Sequence, residues 1–215
     1  MNILFPRKSR GRLSAVLPFL CVLAAGQFGG CGGRADTSDG DEAIDTSDVY
    51  SLEVVKDRKE KDLHFLRDES SPLPASDRET FTGLKYFRPD RSWAFECVLQ
   101  RFDAPKSCVM ATSKDRPRDM LHIGFLPFVR EGSEYHLNVY MPRDTSDGHY
   151  WFIPFFDISS GKDTYAGGRF IDIEAPPSDT VFLDFNYAYN PYCAYNSRYD
   201  CPIPPAENRL AIAVS

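Results

Sequence analysis

The chain has 215 residues, 42% of them hydrophobic, with 25 Lys and Arg against 31 Asp and Glu, a formal net charge of −6. That acidic balance argues against a nucleic-acid partner, which requires a basic face, while the apolar content suits a folded domain with its own core.

The first thirty residues read as an export signal. Arg7, Lys8, Arg10 and Arg12 form a basic leader, and Leu13 to Ala25 is apolar apart from Ser14 and Pro18. This run is shorter than the roughly 20 residues a membrane span needs, so a removable signal is expected. Gln27-Phe28-Gly29-Gly30-Cys31 resembles a bacterial lipobox, with Phe28 where Leu is usual, and makes Cys31 the lipidation candidate. Ordinary cleavage nearby, leaving Cys31 as a spare thiol, is the alternative. Cys21, with no small residue before it, is a poor acceptor.

Residues 31–48 read as a flexible acidic tether, Gly-rich and polar, with one Arg against six acids. Loss of the leader's four positive charges takes the net charge from −6 to −10, so lipid chains rather than basic residues would hold the membrane. The expected location is the bacterial cell envelope, on the periplasmic or outer-membrane face.

A single domain is expected over residues 49–215. Residues 48–66 read as a helix capped by Ser47, with Leu52, Val55, Leu63 and Leu66 near one stripe and the charges of KDRKEKD on a solvated face. After Phe81 the chain reads as strands at 81–87, 93–101, 107–112, 120–128, 134–141, 150–156, 164–174, 180–184 and 209–214, separated by turn residues. Val181, Leu183 and Phe185 share one face and Phe182, Asp184 and Asn186 the other, while Leu210, Ile212 and Val214 alternate with Ala211 and Ala213. The fold class is therefore mainly β: an antiparallel β-barrel or sandwich with one N-terminal helix.

Cys97, Cys108, Cys193 and Cys201 remain in the domain. In an oxidising compartment Cys193 and Cys201, separated by a short loop, are expected to pair as a disulfide. The pairing of Cys97 with Cys108 stays open: a hairpin turn at 103–106 would put Cys108 opposite Arg101. No histidine stands at ligand spacing from a cysteine, so neither a metal nor a cofactor is expected. Ser160-Gly161-Lys162 lacks the rest of a phosphate loop and reads as a turn, and Gly167-Gly168 suggests a bulge or a close backbone approach.

The densest feature is 184–210, DFNYAYNPYCAYNSRYDCPIPPAENRL, where Tyr187, Tyr189, Tyr192, Tyr195 and Tyr199 surround two cysteines. It is too rich in Asn and Pro for regular structure and too aromatic for a solvated linker, so an ordered loop that presents polar groups is expected.

That run, with PFFDISSGKDTYAGGRFIDIE before it and KDRKEKDLHFLRDESSPLP and FTGLKYF upstream, resembles the bacterial family of domain of unknown function 1684. The likeness covers about residues 54–214. The resemblance implies no activity. It implies that Asp157, Thr164, Tyr165, Gly168, Arg169, Asp184, Asn186, Tyr189, Asn190, Pro191, Cys193, Tyr195, Cys201, Pro202 and Asn208 belong to the family motif.

Three readings of function follow. A binding module would stack tyrosines on a small polar or sugar-like ligand, with Asp157, Thr164, Tyr165, Arg169, Asp184, Asn186, Tyr189, Asn190, Tyr195 and Asn208 as the candidate lining. A hydrolase-like envelope enzyme would use Arg169, Asp184 and Cys193. A purely structural reading makes Arg169–Asp184 an internal ion pair and the polar loop a closure of the fold. For the cluster as a whole, binding is favoured.

Overall fold

The computed structural model describes residues 48–144, 150–174 and 176–215. The signal, Ser47, Cys31 and nearly all of the tether lie outside the described residues. Asp48, the last tether residue and the first of the expected helix, has a carboxylate that accepts from the Tyr50 and Ser51 amides at 3.2 and 3.3 Å and caps helix α1 (Val49–Arg67). No helix among the described residues is long and apolar enough to cross a membrane.

Among the described residues seven strands follow a short α2 (Ala75–Arg78): β1 (Ala94–Val98), β2 (Gln100–Met110), β3 (Arg118–Arg130), β4 (Ser133–Pro142), β5 (Tyr150–Phe155), β6 (Arg169–Glu174) and β7 (Thr180–Asp184). They form two antiparallel sheets, one of five strands in the order β2-β3-β4-β5-β6 and one of β1 with β7. The sheets face each other as a sandwich and do not close into a barrel. Leu183 of β7, Leu126 of β3, Leu137 and Val139 of β4, and Ile153 and Phe155 of β5 fill the space between them, all fully buried.

The expected alternation in β7 holds at Val181, Leu183 and Phe185, which enter this core, while Phe182 is exposed. All six residues of β5 are buried, because the second face of the large sheet is covered too. There Met110, Met120, Tyr140, Tyr150, Phe152 and Phe170 form a second apolar layer, with Cys108 and Tyr189 against it.

Three expected elements differ. Residues 81–87 form no strand, because α1 captures their backbone: Asp62 accepts from the Leu84 amide at 3.1 Å and Arg58 donates to the Phe87 carbonyl at 2.6 Å. The expected turn at 103–106 is instead a register shift inside the continuous β2, so Cys108 lies opposite Met120, and Cys97 opposite Val181 in the other sheet. Residues 209–214 lie beside 156–158 through the Leu210 amide to Phe156 O (2.8 Å) and the Ile158 amide to Ile212 O (3.1 Å), without joining either sheet.

The helix stripe is also rotated from the expected one. Leu52 and Leu63 are 43% and 47% exposed, whereas Val54 and Phe65 are fully buried. The inward stripe is Tyr50, Val54, Arg58, Lys61 and Phe65, spaced at helical intervals but carrying three polar residues, which an apolar-only count overlooks.

Asn208 holds the two halves of the large sheet together. It is fully buried, its amide oxygen accepts from Asn138 N and Nδ2 at 2.8 and 3.0 Å, and its Nδ2 donates to Asn138 O and Pro154 O at 2.9 and 2.8 Å. Proline at 154 cannot donate to a ladder, and Asn208 supplies the missing pairing from outside the strand. Asn208→Ala should therefore orphan several buried backbone groups and cost about 3–5 kcal/mol, on the basis of about 1–3 per unsatisfied group. Urea unfolding should show a lower midpoint with an unchanged slope; a midpoint equal to wild type would refute this role.

Candidate functional site

The polar residues singled out in the sequence fall into groups with different partners. Asp157 and Arg169 are both buried and meet at 3.1 Å. Arg169 also donates to Val214 O at 2.7 Å, and the Asp157 carboxylate accepts from the Val214 amide (2.7 Å), Ser159 Oγ (2.7 Å) and Ser160 Oγ (2.9 Å). Thr164 joins through Ser159 at 2.9 Å. This cluster clamps the C-terminal segment onto β6.

Asp184 takes no part in it, which corrects the expected Arg169–Asp184 pair. Its carboxylate accepts from Tyr50 Oη at 3.0 Å and from the amide and Nδ2 of Asn186, both at 3.0 Å. Asn186 in turn bonds both backbone groups of Asp90, and its carbonyl accepts from Arg58 at 2.8 Å. Asp184 ends β7, and its partner from outside the strand is Tyr50 of α1 rather than Arg169 of β6. Arg169, Asp184 and Cys193 thus serve separate sets of hydrogen-bond partners.

The loop's tyrosines converge on a different place. Tyr189 pairs its backbone with Phe170 through two 2.9 Å hydrogen bonds. This sets its hydroxyl, as donor, on the Asp172 carboxylate, two residues along the same face of β6. Lys61 lies over the Tyr189 ring, 4.5 Å from its centre. Burial lowers the Lys61 ammonium to about 8, and burial raises Asp172 to about 6, both displaced toward neutrality because a dry site disfavours either charge. Asp172 Oδ1 is buried without a hydrogen-bond partner. Burial also pushes Tyr192 and Tyr195 up to about 12, and Asn190 hydrogen-bonds Tyr195. The Tyr195 ring meets Phe65 of α1 edge-on at 5.0 Å.

Cys193 and Cys201, expected to be bonded, are free thiols in the structure. The Cys193 amide, at the 3-10 turn Tyr192–Ala194, donates to the Cys201 sulfur at 3.2 Å. Tyr165 Oη lies 3.7 Å from the Cys193 sulfur. Gly167 is what lets the Tyr165 ring fold back, since a Cβ there would run into it. Gly168, at φ +83°, would carry a Cβ 2.7 Å from Phe155 O. No group of three or more metal-ligating side chains occurs among the described residues.

Lys61 and Asp172 were not singled out in the sequence. Lys61 was assigned to a solvated charge run. Asp172 stands between Ile171 and Ile173, and a charge set inside an apolar strand needs a partner just as Arg169 and Asp184 do.

The fold and these clusters define a small β-sandwich domain fronted by a helix and a tyrosine-rich loop. The chain belongs to the family described as Protein of unknown function (DUF1684), whose model matches residues 79–215. An uncharacterized protein of Haloarcula marismortui, solved by solution NMR, is similar to it at 35% identity and a TM-score of 0.60, over 76% of this chain and 90% of that one. No curated protein matches. Asp172, Tyr189 and both cysteines lie inside the family match, whereas Lys61 precedes it.

Two measurements test these assignments. A double-mutant cycle on Arg169 and Asp157 should show strong coupling, with each single alanine costing about 3–5 kcal/mol, while Arg169 and Asp184 should be additive. Coupling of the second pair instead would overturn the correction. For Asp172, a raised folded pKa means stability present below the unfolded value of 3.8 and lost as pH rises through about 6. The wild type should therefore lose stability over that window relative to Asp172→Asn, in thermal melts taken at matched ionic strength.

Proposed function

We propose that the domain binds a small polyhydroxylated, sugar-like ligand where α1, β6 and the tyrosine-rich loop meet. The observation that carries this reading is the buried, unpartnered Oδ1 of Asp172 beside Lys61. An orphaned carboxylate oxygen in a partly dry site costs free energy unless something donates to it, and a ligand hydroxyl is such a donor. Lys61 supplies a donor in return, for a second hydroxyl or a ring oxygen. Tyr189, Tyr192 and Tyr195 supply flat apolar faces of the kind that sugars pack against, with polar ends to orient them. Within the ligand set expected from sequence, Tyr189, Asn190 and Tyr195 keep this role, while Tyr165 turns its hydroxyl to Cys193. Asp157, Thr164, Arg169, Asp184, Asn186 and Asn208 hold the surrounding walls by the internal bonds described above.

The domain would work at the cell envelope, as an exported lipoprotein anchored through Cys31. The basic leader, the short apolar run and Gly29-Gly30-Cys31 support this.

Isothermal calorimetry against a panel of neutral hexoses, amino sugars and linear polyols should find at least one ligand. Asp172→Asn and Lys61→Met should each weaken it by about tenfold or more, the worth of one hydrogen bond to a charged group at roughly 1.5–3 kcal/mol. A ligand bound equally well by both variants would displace the site. Labelled palmitate should appear in the wild type and vanish in Cys31→Ala; label that persists would end the lipoprotein reading.

A further inference from the structure

The two cysteines of the loop adjoin the proposed ligand site, Cys193 directly after Tyr192, and that reading gives neither of them a role. Cys193 is half-buried and Cys201 buried. They are set by separate pieces of backbone. Cys193 sits in the 3-10 turn after Pro191, while Cys201 is stitched to residues 112–113: its amide donates to Ser113 Oγ at 3.1 Å, and its carbonyl accepts from the Ser113 amide at 2.9 Å. Next to it Thr112 bridges Pro202. The Cys193 amide points at the Cys201 sulfur, and the Tyr165 hydroxyl approaches the Cys193 sulfur from the other side. Each sulfur is thus positioned by the fold, one partly open to solvent and one behind it.

We propose that Cys193 and Cys201 form a thiol–disulfide exchange site, with Cys193 as the attacking thiolate and Cys201 as the resolving thiol. The co-reactant is a low-molecular-weight or protein disulfide. Cys193 Sγ attacks one sulfur of that disulfide. A new S–S bond forms, the old one breaks, and the first leaving thiolate departs with the electron pair and takes a proton from water. Cys201 then gives its proton to solvent and attacks Cys193 Sγ, expelling the second thiolate. The protein dithiol is oxidised by two electrons, the external disulfide is reduced to two thiols, and the reverse sequence regenerates the dithiol.

The electrostatics agree with this division of roles. Hydrogen bonding from Cys201, and then from Tyr165, lowers Cys193 to about 6, whereas the same bond and burial push Cys201 far up. One proton shared between two sulfurs favours the thiolate on the more exposed of them. Cys97, in the core between the sheets, is pushed by burial up to about 11 and serves as an internal control.

The full-length chain is first reduced, then treated with iodoacetamide at pH 7 and mapped by mass. Cys193 should be alkylated about tenfold faster than Cys97 or Cys201. Equilibration with mixtures of reduced and oxidised glutathione should convert the dithiol reversibly to a Cys193–Cys201 disulfide. Cys201→Ser should stop at a glutathione adduct on Cys193, and Cys193→Ser should leave Cys201 unmodified. The alkylation and titration are read on the wild type, so a variant that folds poorly does not decide the matter. A Cys193–Cys201 bond that native protein keeps in excess reduced glutathione would make the pair structural and overturn the proposal. So would thiols that stay reduced in oxidised glutathione, or a Cys193 no faster than Cys97.

Discussion

One buried carboxylate organises the end of the chain. Asp157 follows β5 and its neighbour Phe156, and accepts from Arg169, Val214 and two serines at 2.7–3.1 Å. Those donors come from three places: the turn at 159–160, the start of β6 and the C-terminal tail. Without the carboxylate, Arg169 would be a buried cation left with one carbonyl and the rings of Phe87 and Phe155, and the Val214 amide would lose its acceptor. Either alone is costly in a dry interior. Because Leu210 and Val214 close the core, the tail must be held there, and no sheet ladder does it. The ion pair reinforces the short backbone pairing that 209–214 makes with 156–158.

A second substitution of the same kind docks α1. A helix that packed through leucines alone would be free to slide; this one is registered by Tyr50 on Asp184, Arg58 on the carbonyls of Phe87 and Asn186, and Asp62 on the Leu84 amide. Polar contacts of this type contribute little net stability but penalise every other register, since each misplacement leaves buried groups unpaired. The segment 81–90 is ordered as a by-product. Its donors and acceptors are met by helix side chains, so it crosses the domain without being a strand.

How much of this was legible follows from which rules were local. The strands with clear alternation, such as 180–184 and 134–141, were readable because a half-buried pleat shows a period of two in any context. Residues 81–87 and 209–214 carry the same composition, yet strand pairing is a property of two segments, and their neighbours were already satisfied elsewhere. The helix stripe was misplaced because Tyr50, Arg58 and Lys61 count as polar in a hydrophobic pattern, although each buries a long apolar stem. Arg169 and Asp184 were rightly seen to need partners, but a sequence cannot say which of several charges is nearest; Asp157, just after a strand in which every residue is buried, was the better mate for Arg169. At Cys193 and Cys201 proximity was legible and oxidation state was not, since spacing bounds a distance and says nothing of where a thiol's proton goes.

What separates walls from working surface in this loop is satisfaction. Asn208 uses its whole amide, and Asp184 and Asn186 meet each other and the helix, so their chemistry is consumed within the fold. Asp172 keeps one buried oxygen unmet, and burial holds Lys61 below its ordinary pKa beside it. A sandwich of this size has no structural need for that arrangement, because well-packed apolar residues at both positions would avoid the desolvation of two charges. A cost carried in the fold and open to relief by an outside donor supports the proposed binding role of this place. The same reasoning sets the thiol pair beside it: positioned backbone on two separate segments, spent on holding two sulfurs close, is more than an inert cysteine requires.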